Sequence, residues 1–248
     1  MRRSILLLPV LAALALGLSG CSTVEGQRAQ ELLLQAQAAE SLLHSAAFEG
    51  SISYTGAGQS ASLAFEGAGS EQGQFFSMHS SGALGSAFDI RFIVKGKSAW
   101  LRMNGAWQEM PVPVELGAAS RSASLGSVAF QELTKHVKEV RVTEHQLVGG
   151  EPSAIIGGEL DTAGLLASVG KLSALTGGTE GFDLESLDVK IGDISATLTI
   201  SERTHLLTSA LISLSMETAG ETIDLQLTYR LTAVNEAVRI PAPGPGAS

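Results

Sequence analysis

Alternation at period two dominates this chain and restricts most of it to sheet. In the last third, Ile194, Ala196, Leu198 and Ile200 face one way while Ser195, Thr197, Thr199 and Ser201 face the other. Ala210, Ile212, Leu214 and Met216 repeat the pattern, and Ile223, Leu225, Leu227, Tyr229 and Leu231 oppose Thr222, Asp224, Gln226, Thr228 and Arg230. Successive side chains of a strand point to opposite sides, so these runs predict strands with one apolar and one polar face. Residues 48–55, 61–66 and 88–94 carry the same period. Glycine-rich breaks at 56–58, 67–73, 82–85 and 95–97 are short enough for hairpins, so consecutive strands are expected to run antiparallel.

Asn104 and Gly105 mark a two-residue turn joining 99–103 to 106–110, because both tolerate positive φ. That turn places Arg102 opposite Trp107. The guanidinium can lie on the indole there, but plain core burial is the expected role of Trp107. Further strands are expected at 140–148 and 153–160, around Gly149 and Gly150.

Helical spacing interrupts the strands in three places. Over 28–46, Leu32, Ala36, Ala39, Leu43 and Ala46 form one apolar face, widened by Leu33, Leu34 and Leu42. A short helix is expected over 127–137, with Val128, Leu133 and Val137 inward. Another should follow Asp161, a good cap, with Leu165, Leu166, Val169, Leu172 and Leu175 inward; 179–191 is expected to be loop. The expected fold class is α+β: about eleven strands in one strongly curved antiparallel sheet, a half-open β-barrel, with helices packed on its concave, apolar face. One domain is expected from 28 to 240. The Pro/Gly-rich tail, 241–248, cannot continue a sheet.

The amino terminus has a different logic. Arg2 and Arg3 precede an uncharged apolar run from Ile5 to Leu18, and Leu18-Ser19-Gly20-Cys21 follows. A charged start, a short apolar stretch and small residues at the cut describe a secretory leader, and the run is short for a membrane span of about 20 residues. Residues 1–20 are thus expected to be removed. Cys21 would begin the mature chain, with 22–27 as a polar tether reaching roughly 20 Å. Cys21 is the only cysteine, so no internal disulfide can form. Without Arg2 and Arg3, 14 basic residues stand against 25 acidic ones, a formal charge of −11. Such a surface repels nucleic acid and gains nothing general from anionic headgroups.

Catalytic and metal patterns are missing from the sequence. His44, His79, His136, His145 and His205 form no HExxH or other close metal pair. There is no GxSxG elbow and no GK[ST] phosphate loop. Gly67-Ala68-Gly69 runs one residue too long to Gly73 for GxGxxG and is expected to be a loop between strands. Asp183, Glu185, Asp188 and Asp193 lack calcium-loop spacing, and Lys135, Lys138 and Arg141 are expected to form a solvated face. No cofactor, metal or enzymatic activity is expected.

Leu18-Ser19-Gly20-Cys21 resembles the lipobox of bacterial lipoproteins, and that resemblance implies diacylglycerol on the Cys21 thiol. Val94-Lys95-Gly96-Lys97-Ser98-Ala99-Trp100-Leu101-Arg102 with Gly105-Ala106-Trp107, and the close of the chain from Tyr229 through Asn235-Glu236-Ala237-Val238-Arg239-Ile240-Pro241-Ala242-Pro243, resemble the hairpin and tail of the mycobacterial LppX/LprA/LprF/LprG lipoprotein family. Ala237 stands where that family's tail has proline. The family is similar in fold to the carriers LolA and LolB. The resemblance implies an exported, membrane-anchored protein with an apolar cavity that holds acylated lipid or lipoprotein acyl chains, working with an envelope transporter or export partner. Candidate lining residues, from the apolar strand faces, are Phe65, Phe88, Ile90, Phe92, Leu198, Ile212, Leu214, Leu225 and Leu227. The alternative is a structural or sensory envelope lipoprotein that binds protein partners and no lipid.

Overall fold

The computed structural model describes residues 24–56, 58–82, 89–111, 136–161, 189–218 and 220–244. Among them are one helix, α1 (Val24–Glu40), and eleven strands. The strands are β1 (Ser45–Gly56), β2 (Gln59–Ser70), β3 (Gly73–Gly82), β4 (Asp89–Lys95), β5 (Ser98–Met103), β6 (Trp107–Pro111), β7 (Val137–Val148), β8 (Glu151–Leu160), β9 (Val189–Ser201), β10 (Leu207–Thr218) and β11 (Glu221–Val234). They form one sheet in the order β6-β5-β4-β3-β2-β1-β11-β10-β9-β8-β7, antiparallel throughout. β6 and β7 are its two edges, so the sheet does not close into a barrel. Cys21, Phe88 and nearly all of the helices expected over 127–137 and after Asp161 lie outside the described residues.

Antiparallel pairing sends the turns alternately to two ends of the sheet. One end collects the start of β1 and the turns at 71–72, 96–97, 149–150, 202–204 and 235–236; the other has those at 104–106 and around Gly220. α1 belongs to the first end at both of its own ends. Near its start, Arg28 bonds Glu202 at 3.3 Å in the 202–204 turn, and the same carboxylate oxygen takes His145 Nδ1 at 2.8 Å. At its finish the chain turns directly into β1. Between these points Ala29, Leu32, Leu33 and Ala36 bury against Val140, Ala154, Ile156, Leu198 and Ile200.

The helix does not follow its expected bounds. It begins at Val24, so only Ser22 and Thr23 separate it in sequence from Cys21, and it stops at Glu40. Apolar spacing continues through Leu43 and Ala46, but distant groups take over the backbone there. The His44 N–H donates to Asn235 Oδ1 at 2.9 Å, the Asn235 N–H donates to the Ser45 carbonyl at 2.8 Å, and Ser45 Oγ donates to the Glu236 carbonyl at 2.6 Å. Ala46 consequently lies in β1. Leu34 and Leu42, expected to widen the buried face, stand 67% and 70% exposed. Asn235 holds φ +52° at this junction, a conformation asparagine tolerates better than most residues. Asn235→Gly, which keeps the backbone and loses one hydrogen bond, should cost about 1 kcal/mol. Asn235→Ala should cost about 2 kcal/mol, lowering the melting temperature by roughly 4–8 °C, because it adds backbone strain. Thermal melts of the two variants read the difference.

Three further expectations change. Residues 67–70, expected to be loop, are the last turnless stretch of β2, and only Glu71 and Gln72 form the turn. Val137, expected in a helix, starts β7 opposite Leu160 and extends that hairpin; Glu139, at φ +50°, lies in the bulge that follows. Residues 189–191, expected to be loop, pair with Met216, Glu217 and Thr218. The Asn104 turn has the expected register, with Arg102 opposite Trp107, but only Asn104 takes positive φ.

Glycines in the central strands are filled by neighbouring rings. Gly50 lies between Tyr229 on β11 and Phe65 on β2, and Gly67 lies between Phe48 on β1 and Phe76 on β3. A Cβ on Gly50 would sit 2.3 Å from the Phe65 ring and 2.3 Å from the Thr228 carbonyl oxygen; one on Gly67 would sit 2.3 Å from the Phe48 ring. The rings lean over the glycines and touch in series. Tyr229 stacks on Phe48 at 5.7 Å, Phe48 tilts against Phe65 at 6.5 Å, and Phe65 stacks on Phe76 at 6.4 Å. Each such pair contributes about 0.5–1.5 kcal/mol beyond its buried area.

Candidate functional site: the apolar face of the sheet

The described candidate residues all fall on one face. Ile90 lies opposite Met78 and Phe92 opposite Phe76; Met78 lies opposite Phe65, and Phe65 opposite Gly50. Across β1, Gly50 faces Tyr229 and Ile52 faces Leu227. Leu227 and Leu225 then face Ile212 and Leu214, and Ala210 faces Leu198. Phe65, Ile90, Phe92, Leu198, Ile212, Leu214, Leu225 and Leu227 are therefore one continuous surface running from β4 to β9. Phe48, Ile52, Leu63, Phe76, Met78 and Tyr229 belong to it too. Phe48, Ile52, Leu63 and Tyr229 share the phase of alternation that singles out their neighbours; Phe76 and Met78 sit in a run whose many serines hide the period.

Burial on this face is uneven. Where α1 covers it, Ala154, Ile156, Leu198 and Ile200 are all 0% exposed. Leu198 is thus part of the helix-covered core. Away from the helix the large side chains Ile52, Leu63, Phe65, Phe76, Met78, Ile90, Phe92, Ile212, Leu214, Leu225 and Leu227 are only half-buried. Tyr229 marks the boundary. It is buried, and burial, followed by the charge of Glu40 at the end of α1, pushes its hydroxyl pKa up, so the group stays protonated across the physiological range.

Across the central strands the opposite face is mostly polar, although Phe75, Ile93 and Trp100 form an apolar patch on it toward β5. A recess of about 670 Å³ lies on that side, bordered by Glu49, Ser51, Glu66, Thr199, Thr228 and Arg230. The chain after β11 crosses the same side, with Ala237, Val238 and Arg239 beside Glu66 and Ala68, and Gly244 beside Trp107. Trp107 is half-exposed here and carries the Arg102 guanidinium 5.6 Å from its ring centre, not the expected core role. Arg102 also bonds Asp89, which takes Arg91 Nε at 3.2 Å. Slight burial raises the Asp89 pKa, but hydrogen bonds and charge from Arg102 and Arg91 outweigh it and hold the carboxyl below its usual range.

Of the expected basic cluster, Lys138 pairs with Asp161 at 3.0 Å, while Lys135 lies outside the described residues. Among the described residues no group of three or more His, Cys, Asp or Glu side chains is placed to hold a metal, and no helix is long and apolar enough to cross a membrane.

With this geometry in view, several solved structures are similar to this chain. LprF from Mycobacterium bovis shares 16% identity over 88% of this chain and 97% of its own, with a TM-score of 0.49. LppX from Mycobacterium tuberculosis shares 16% over 86% and 99%, with a TM-score of 0.41. A LolA superfamily protein from Nitrosomonas europaea shares 9% over 83% and 94%, with a TM-score of 0.27. These neighbours are of the LppX/LprG and LolA types that the hairpin and tail motifs resemble. No family model and no curated protein matches the sequence.

Proposed function

We propose that the protein is a membrane-anchored lipoprotein that binds acylated lipid against the apolar face of its sheet and carries or presents it in the cell envelope. The observation that carries this reading is the change in burial along one face: side chains at 0% exposure under α1 give way to a band of half-buried aromatic and aliphatic ones from β10 to β4. An acyl chain laid along it gains about 0.8 kcal/mol for each methylene removed from water. The chemistry suits chains more than headgroups, since the band contains no charge and no partnered carboxylates.

The anchor and the face fit one role. A diacylated Cys21 would hold the domain at the bilayer, where acylated cargo is found, and a net negative chain would neither bind nucleic acid nor compete for it. The test is mass spectrometry of organic extracts from the purified protein, compared with Ile212→Trp/Leu225→Trp, which fills the band with larger apolar groups. Stoichiometric acyl lipid is expected with the native chain, falling about tenfold in the variant while the thermal melt is retained. Native protein free of acyl lipid overturns the reading.

A further inference from the structure

We propose that the end of the sheet spanned by α1 docks on the bilayer, with the tip of the β7–β8 hairpin and the outer side of α1 entering the lipid interface. This rests on the anchor at Cys21 proposed above. Seven large apolar side chains are exposed among the described residues: Val24, Leu34, Leu42, Met103, Leu147, Val148 and Leu211. Five of them lie along one end of the sheet. Val24, Leu34 and Leu42 are on α1 or the turn that ends it, and Leu147 and Val148 are at the β7–β8 tip, 72% and 39% exposed. The Glu202 carboxylate ties these parts together, since one oxygen takes both Arg28 of α1 and His145 of β7. Val24 is one helical turn before Arg28, and Leu147 is two residues after His145 on the same side of the strand.

The occupant follows from where the chain enters. Cys21 is three residues before Val24, so an acylated Cys21 can be no more than about 10 Å from the start of α1. The anchor therefore reaches the bilayer at the same end as the apolar cluster, and the domain has no length of tether with which to stand away from it. Charge is not the attraction. The chain is acidic overall, and Arg28 and Arg203 at this end are already paired with Glu202 and Glu151. Apolar contact should suffice, and zwitterionic lipid should support it.

The full chain is expressed in a lipidating bacterial host, purified from membranes in detergent and reconstituted into phosphatidylcholine vesicles with brominated acyl chains. Leu147→Trp adds a fluorophore at the docking end, and Met103→Trp adds one at the opposite end of the sheet. The mass of the Cys21 peptide is read from the same preparation. The added emission of Leu147→Trp should be quenched at least about twofold relative to unbrominated lipid, and that of Met103→Trp should not change. Acylated protein with neither position quenched, or both quenched alike, overturns the docking and leaves the anchor standing. An unacylated Cys21 with protein absent from the vesicles overturns the anchor and the docking together. Burial of the new tryptophan without lipid, with a doubled mass in solution, assigns the surface to a second copy and also overturns the proposal.

Discussion

Cys21→Ser should release the protein from the membrane. A serine hydroxyl has nearly the size of the thiol but does not take diacylglycerol in its place, and no second cysteine exists to substitute for it. The remaining chain offers weak alternatives. Its net charge is negative, and no helix among the described residues can span a bilayer. One acyl chain alone binds with an association constant of only about 10⁴ M⁻¹, and a few exposed leucines supply less than that. Two or more chains on Cys21 are what would make attachment stable. The membrane-bound fraction should drop from nearly all of the protein to a small remainder, at least about a hundredfold in partitioning. Fractionation after a carbonate wash, with mass spectrometry of the amino-terminal peptide, measures it. Retention of the serine variant in the washed membranes would show that attachment does not depend on this residue.

The second large effect has a sign opposite to the one that propensity suggests. Glycine inside a strand is usually a weakness, and alanine should improve it by roughly 0.5–1 kcal/mol. At Gly50 the neighbours reverse this. The new methyl would meet the Thr228 carbonyl oxygen at 2.3 Å, which is backbone of the paired strand and cannot move without disturbing the β1–β11 ladder, and the Phe65 ring at the same distance. Overpacking of this kind costs about 1–3 kcal/mol, and we expect Gly50→Ala at the upper end. That corresponds to a melting temperature lower by roughly 6–12 °C for a domain of this size. Gly67→Ala should be milder, because its nearest atoms all belong to the movable Phe48 ring. Thermal melts of both variants would show the order, and a stabilised Gly50→Ala would refute the packing account.

These glycines also show what was legible from residues alone. Alternation revealed most of the strands and, through its phase, which side chains share a face; every described candidate residue shares one. The Asn104-Gly105 turn was enough to place Arg102 opposite Trp107. The misreadings have a common cause in partners distant along the chain. Residues 67–70 look like a break because the ring that completes them is Phe48 on another strand. The helix overruns its true end because the groups that stop it, at Asn235 and Glu236, lie 191 residues away. Trp107 looks like core because the tail that reaches Gly244 beside it has no alternating pattern to announce where it goes. The candidate face was visible as a set of residues, whereas the extent of its cover by α1 depends on packing geometry that periodicity does not encode.

The strand order has a consequence for how the chain is built. Every neighbouring pair in the sheet is consecutive in sequence except β1 and β11, which join at the centre, while β6 and β7, though consecutive, are its two edges and do not pair. Ser51 and Thr228 share a side-chain hydrogen bond across 177 positions. The seam between the two halves is thus closed by the last strand to be made, against a strand made near the beginning. Closing so long a loop is slow, and the local hairpins on either side can zip long before it. Deleting β11 would therefore split the sheet down the middle, whereas deleting β6 would only trim its edge.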